Sequence, residues 1–150
     1  MLKFMGKKSW FFAGVLIVLI VSITNYVIIS NTNSTEIDFE TLSKGSYSSY
    51  KESANYVMNS NEELKELKLQ QISGIDFSKS TAIAVFMGEF NTGGYAIEIT
   101  EIMEKEKKII IKVIKTFPEP GQPVTQALSQ PYHIVKIEKI EKGVVFEDEV

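Results

Sequence analysis

From Trp10 to Ile29 the chain reads WFFAGVLIVLIVSITNYVII, 20 residues without a charge or a proline. At about 1.5 Å of rise per residue, such a helix spans the roughly 30 Å hydrocarbon core of a bilayer. Trp10 near one end and Tyr26 near the other suit the interfacial zones. A cleavable signal peptide is the competing reading. Its apolar region usually runs about 7 to 15 residues and ends at a small-x-small site. This run is longer, and Tyr26-Val27-Ile28-Ile29-Ser30-Asn31 offers no convincing site of that kind.

The pattern beyond the apolar run changes several times. Ser30 to Glu40 is polar and reads as the start of a stalk, which we place over 30–44. Gly45 to Met58 carries scattered tyrosines and suggests one or two short strands. Ser60-Asn61-Glu62-Glu63 has the form of a capping box: the Ser60 hydroxyl accepts from the Glu63 amide while Glu63 reaches back. Leu64, Leu67 and Leu69 then predict a helix of about ten residues with one buried stripe, ending near Gly74.

After the helix the period becomes two. Thr81 to Met87 is apolar on both faces, the mark of a central strand covered on both sides. Tyr95 to Ile102 alternates, with Tyr95, Ile97 and Ile99 on one side and Glu98 and Thr100 on the other. Lys108 to Thr116 is rich in β-branched residues and reads as a strand, with Met103 to Lys107 as the exposed turn before it. Phe117 to Pro131 holds all four prolines, so it crosses as a loop, not as a central strand. Tyr132 to Ile140 and Val144 to Glu147 form the last strands, divided by a turn at Glu141-Lys142-Gly143. The expected fold class is α+β: an N-terminal transmembrane helix, then a small, mainly antiparallel β domain with one short helix. The expected boundaries are a basic tail at 1–9, the helix at 10–29, the stalk at 30–44 and the domain at 45–150.

Charge supplies the orientation. Lys3, Lys7 and Lys8 precede the apolar run, and the first charges after it are Glu36, Asp38 and Glu40. The positive-inside rule puts Met1 in the cytoplasm and the domain outside the cell membrane. All 16 basic residues are lysine; the thirteen beyond the apolar run face all 19 acids, a net charge of −6. Nucleic-acid binding calls for the opposite sign and for arginine, so that class is excluded. With no cysteine, there is no disulfide, thiolate metal site, cysteine nucleophile or lipid-bearing N-terminal cysteine.

The chemistry-bearing residues form no catalytic set. His133 is the one histidine, and Tyr132-His133-Ile134-Val135 reads as a strand start, which favours a structural histidine. A serine triad would need a G-x-S-x-G elbow, and zinc hydrolysis an HExxH; neither is present. Glu62/Glu63 and Asp148/Glu149 sit at a helix start and at the end of the sequence, where solvated charges normally lie. Gly88 to Tyr95 lacks the G-K-[S/T] ending of a phosphate loop and leads into a strand. Its Gly93-Gly94 pair suits a tight hairpin or a bulge, since glycine reaches positive φ freely. No cofactor and no metal is expected.

Four motifs in order carry a resemblance. They are Asp76-Phe77-Ser78-Lys79, Ala82 to Gly88, Thr92-Gly93-Gly94-Tyr95, and Pro118-Glu119-Pro120-Gly121 running to Gln126-Ala127-Leu128-Ser129-Gln130-Pro131-Tyr132-His133-Ile134-Val135. Together they resemble the PrcB C-terminal domain family over roughly Ile75 to Lys139. That family is named for a bacterial surface protein associated with a serine-type protease complex. The resemblance implies an extracytoplasmic, non-catalytic accessory module that stabilises a protease, with inhibition of a protease as the variant reading. The namesake is lipoprotein-like, whereas this chain uses a helix. The candidate partner-binding residues are Thr92, Gly93, Gly94, Tyr95, Gln130, Pro131 and Tyr132, where motif residues meet irregular backbone. A hydrolase of cell-surface polymers is the rival class; it would have to rest on His133 and scattered acids.

Overall fold

A strand that is apolar on both faces has to be covered on both. The computed structural model describes residues 34–69 and 72–149, and it does this for β4 (Ser80–Phe86), whose residues from Thr81 onward are all buried. Ile83, Val85 and the following Met87 point into a core shared by two sheets. Ala82, Ala84 and Phe86 point the other way, into a second core beneath the helix. The anchor expected over 10–29 lies outside the described residues. Among the described residues no helix is long and apolar enough to cross a membrane.

Thr35–Val150 forms one compact unit. The first sheet contains β2 (Glu40–Gly45), β7 (Tyr132–Glu138), β4 and β3 (Ala54–Met58), in that order and antiparallel throughout. The second contains β1 (Ser34–Glu36), β5 (Ala96–Lys105), β6 (Lys108–Thr116) and β8 (Gly143–Glu149). β5 and β6 make an antiparallel hairpin, while β8 runs parallel to β6. The small, mainly antiparallel β domain with one short helix is therefore present, with one parallel pair.

β5 brings its isoleucines into register by a bulge. Pairing with β6 slips between Ile99 and Glu101. The extra residue resets the two-residue period, so Ile97, Ile99 and Ile102 all enter the inter-sheet core despite the odd spacing of the last two. Ile109, Ile111 and Val113 of β6 face them, and Val135 and Ile137 of β7 face them from the first sheet.

The helix α1 (Asn61–Glu66) begins as its capping box predicts, with Ser60 Oγ accepting from the Glu63 amide at 3.2 Å. The Glu63 carboxylate reaches one residue further back than expected and accepts from the Asn59 amide. The helix has six residues rather than about ten. Lys68 adopts φ 53°, its amide donates to the Lys65 carbonyl at 3.0 Å, and the Leu69 amide donates to the Leu64 carbonyl at 2.8 Å. These are the two bonds of a Schellman termination, and the buried pair Leu64 and Leu69 supplies its usual apolar contact. A β-carbon in this conformation costs about 1 kcal/mol, so glycine is the usual occupant.

Three other expectations change. The stretch read as stalk carries β1 and β2, because Ile37, Phe39 and Leu42 are enough to pack on the two cores. The strand part of the domain thus begins at Ser34, not at 45. The turn read over 103–107 shrinks to Glu106-Lys107, since β5 continues to Lys105. Gly93-Gly94 does not close a hairpin: β4 and β5 belong to different sheets, and the loop crosses between them. Glu141 and Lys142 do separate the last two strands, which belong to different sheets.

Ile83 is fully buried at the centre of β4. Ile83→Ala should lower the unfolding free energy by about 3–4 kcal/mol, from lost transfer energy and the cavity left behind. Urea denaturation measures this directly, and a loss under about 1 kcal/mol would contradict the packing described.

Candidate interaction site

The loop of Met87 to Tyr95, leading out of β4, and the proline-bearing loop of Phe117 to Pro131 are bound to each other. Phe90 and Ser129 exchange both backbone hydrogen bonds, at 2.8 and 2.9 Å, as an isolated antiparallel bridge. The Met87 amide donates to the Pro131 carbonyl at 2.9 Å, and the Gly93 amide to the Thr125 carbonyl at 2.9 Å. Ser129 Oγ donates to the Thr92 carbonyl at 2.6 Å, and Gln130 Nε2 to Glu89 Oε2 at 2.6 Å. Backbone without a regular ladder must still satisfy its polar groups, and here each loop does so for the other.

The glycines are what let the loops meet. A β-carbon on Gly93 would lie 2.3 Å from Thr125 Oγ1. Gly94 sits at φ +93°, and a β-carbon there would lie 3.0 Å from both Pro118 Cβ and Val124 Cγ1. Next to them Tyr95 stacks on Phe90, with ring centroids 3.8 Å apart and planes 9° apart, and meets Phe117 edge-on at 6.1 Å. Phe117 and Leu128 stay exposed in this loop, at 49% and 54%.

The structure therefore brings Thr92, Gly93, Gly94 and Tyr95 together with the Ser129-Gln130 end of the second loop. Gln130 and Pro131 are buried in the seam, Gly94 is exposed, and Thr92, Gly93 and Tyr95 are half-buried. Gln130 Oε1 is buried without a hydrogen-bond partner. Tyr132 goes elsewhere: its side chain lies on the helix-side core, stacked at 6.3 Å on Phe86, with its hydroxyl 2.9 Å from Ser43 Oγ. The exposed rings and side chains nearest the seam, Phe117 and Leu128, were not among the sequence candidates. Their signal was an apolar residue beside proline or polar neighbours in a loop.

His133 has a structural task. It is 1% exposed. Its Nδ1 accepts from the Ile99 amide of the opposite sheet at 3.0 Å, and its Nε2 lies 2.9 Å from Thr41 Oγ1 of β2. An Nδ1 that accepts a backbone N–H cannot carry a proton, so the ring is neutral and protonated on Nε2. The imidazole thus joins β7, β2 and β5 beside the bulge of β5. Burial pushes its pKa down, Lys44 adds to this, and Glu98 opposes it. Lys44 and Glu98 pair across the same corner at 2.7 Å, and the Lys44 hydrogen bond holds the Glu98 carboxyl below its ordinary range.

The other motif residues are also structural. Asp76 Oδ1 accepts from the Ser78 amide at 3.0 Å and from its hydroxyl, an Asx turn leading into β4. Among the described residues no group of three or more histidine, aspartate or glutamate side chains is arranged to hold a metal.

Residues 81–138 match the family model described as PrcB C-terminal. The matched stretch opens at Thr81 in β4 and closes at Glu138, the last residue of β7, so it holds the inner pair of each sheet and both crossing loops. β1, β2, β3, α1 and β8 lie outside it. The resemblance carried by Ala82 to Gly88, Thr92 to Tyr95 and Pro118 to Val135 is borne out over those residues. No curated protein and no solved structure matches the chain.

Two predictions follow from this geometry. Gly94→Ala forces an L residue into positive φ against Pro118 and Val124, and should cost about 1–2 kcal/mol in denaturant unfolding. For His133 the folded pKa lies below the unfolded value near 6.5. The unfolded chain then binds the extra proton first as pH falls, so stability should drop from pH 6.5 downward, before the carboxylates titrate. His133→Gln should flatten that slope between pH 6.5 and 5. His133→Ala, which leaves the Ile99 amide and the Thr41 hydroxyl unpaired, should cost about 3 kcal/mol at pH 7.5. Thermal melts across pH measure both.

Proposed function

We propose that the chain is a single-pass membrane protein whose helix over 10–29 holds the β domain outside the cell, where it is a non-catalytic accessory subunit that stabilises a surface protease. The observation that carries this reading is the PrcB C-terminal match over 81–138. The geometry supports it from the other side. The chain's one histidine is buried with both ring nitrogens engaged, which leaves it poorly placed to act as a general base. The partner surface lies at the seam of the two loops, where Thr92 to Tyr95 and Gln130 meet and where Phe117 and Leu128 are exposed. A rigid seam carrying exposed apolar side chains is a sound base for binding, because little order has to be gained on contact. Inhibition of the same protease is the variant reading; a hydrolase is disfavoured by the state of His133.

Topology is tested cleanly because the chain has no cysteine. A membrane-impermeant maleimide on intact cells should label Glu52→Cys and spare Lys3→Cys; the reverse would overturn the anchor. Pull-down of the detergent-solubilised chain should recover a protease, and deleting the chain should lower that protease's abundance. A rise in protease turnover at constant abundance would instead mark an inhibitor. Phe117→Ser with Leu128→Ser should weaken the association while shifting stability by no more than about 0.5 kcal/mol each. Unchanged recovery would move the partner surface elsewhere.

A further inference from the structure

A recess lies away from the loop seam, on the helix side of the first sheet. Tyr47, Ser48, Ser49, Tyr50, Lys68, Leu69 and Tyr132 line a cleft of about 140 Å³. Its inner hydroxyls are spent inside the protein. Tyr50 Oη donates to the Leu67 carbonyl at 2.9 Å, and Tyr132 Oη is bonded to Ser43 Oγ at 2.9 Å. Tyr50 also stacks on Phe86 at 3.9 Å, which fixes this wall.

The rim is different, because it holds donors in excess. Ser48 Oγ already accepts from the Tyr50 amide at 3.2 Å, so its hydroxyl proton is free to point outward. The hydroxyls of Tyr47 and Ser49 and the ammonium of Lys68 have no partner among the described residues. Lys68 can only donate, and it stands at the Schellman position that glycine usually fills. A costly backbone conformation thus holds a lysine among the residues that line a tyrosine-walled cleft. Tyr47 is 72% exposed and offers an open ring face beside it.

A ligand for such a rim brings acceptors and negative charge on an apolar body. The cleft is smaller than the roughly 300 Å³ at which small-molecule sites begin, so it takes about one residue, not a length of chain. We propose that this cleft captures the C-terminal carboxylate of an extended peptide, with the apolar side chain of its last residue against Tyr47 and Tyr132. Lys68 and the Ser48 and Ser49 hydroxyls hold the carboxylate. The proposal rests on the interaction-module reading and names the chemistry of one contact a partner would make.

The test uses the full chain in detergent and fluorescein-labelled hexapeptides, randomised over the last three positions. One pool ends in a free acid, a second in an amide, and a third in an amide with one internal glutamate. Fluorescence polarisation should show binding of the acid pool and affinities at least about tenfold lower for both amide pools. Lys68→Gly should weaken the acid pool by about tenfold while its unfolding midpoint stays equal or rises, since the strained position is relieved. Equal binding of acid and amide pools, unchanged binding by Lys68→Gly, or no binding by any pool would overturn the proposal. So would displacement of the peptide by maltotriose, an uncharged trisaccharide, which would mark a saccharide site. Protease recovery in the pull-down is independent of these outcomes, so failure here leaves the accessory-subunit reading standing, and the converse holds as well.

Discussion

The architecture depends on burying β4 from both sides. An apolar strand seven residues long cannot be left with one face in water, and two unlike covers meet this demand. One is the isoleucine-rich second sheet. The other is a six-residue helix with its termination, held by Leu64, Leu69, Ile72 and Ile75. Small residues on the helix side of β4, Ala82 and Ala84, let the helical cover come close, while Phe86 fills the end and gathers Tyr50, Tyr56 and Tyr132 around it. A polar tie is embedded in the inter-sheet contact: His133 takes up the Ile99 amide at the bulge of β5. Without an acceptor at that point, the amide would be a buried donor with no partner, at a cost of about 1–3 kcal/mol.

Much of this was legible in the residues. The doubly apolar run at 81–87, the alternation from Tyr95, the β-branched run at 108–116 and the proline loop each gave an element close to the observed one, because each reports local burial or a missing donor. What stayed hidden was pairing. Nothing in Gly93-Gly94 distinguishes a hairpin from a crossing between sheets, since both need an open backbone. Nothing in Val144 to Phe146 says that its strand lies parallel to β6. The stalk reading failed for a related reason: Ile37, Phe39 and Leu42 are sparse, and only the assembled cores give them something to pack on. The helix was overread because Leu67 and Leu69 continue its stripe, whereas Lys68 ends it by a backbone conformation that sequence seldom assigns to lysine.

The candidate residues at 92–95 and 130–132 were chosen as motif residues on irregular backbone, and the structure gives most of them a task within the domain. Thr92, Gly93 and Gln130 make the contacts that join two loops, Gly94 and Pro131 permit their approach, and Tyr95 and Tyr132 pack on separate cores. Motif residues in this segment thus describe how the loops are built. The neighbours left exposed, Phe117 and Leu128 at one end and Tyr47 on the other face, are the ones we propose for binding, with Lys68 beside Tyr47.

The central claim is that the two crossing loops and the doubly covered strand form one cooperative unit. Residue-resolved hydrogen exchange under native conditions tests it most directly. The account predicts that the amides of Phe90, Gly93 and Ser129 exchange with the same opening free energy as those of Ile83 to Phe86, within about 1 kcal/mol. Fast exchange of the loop amides, with β4 still protected, would show that the seam opens on its own and would contradict the account.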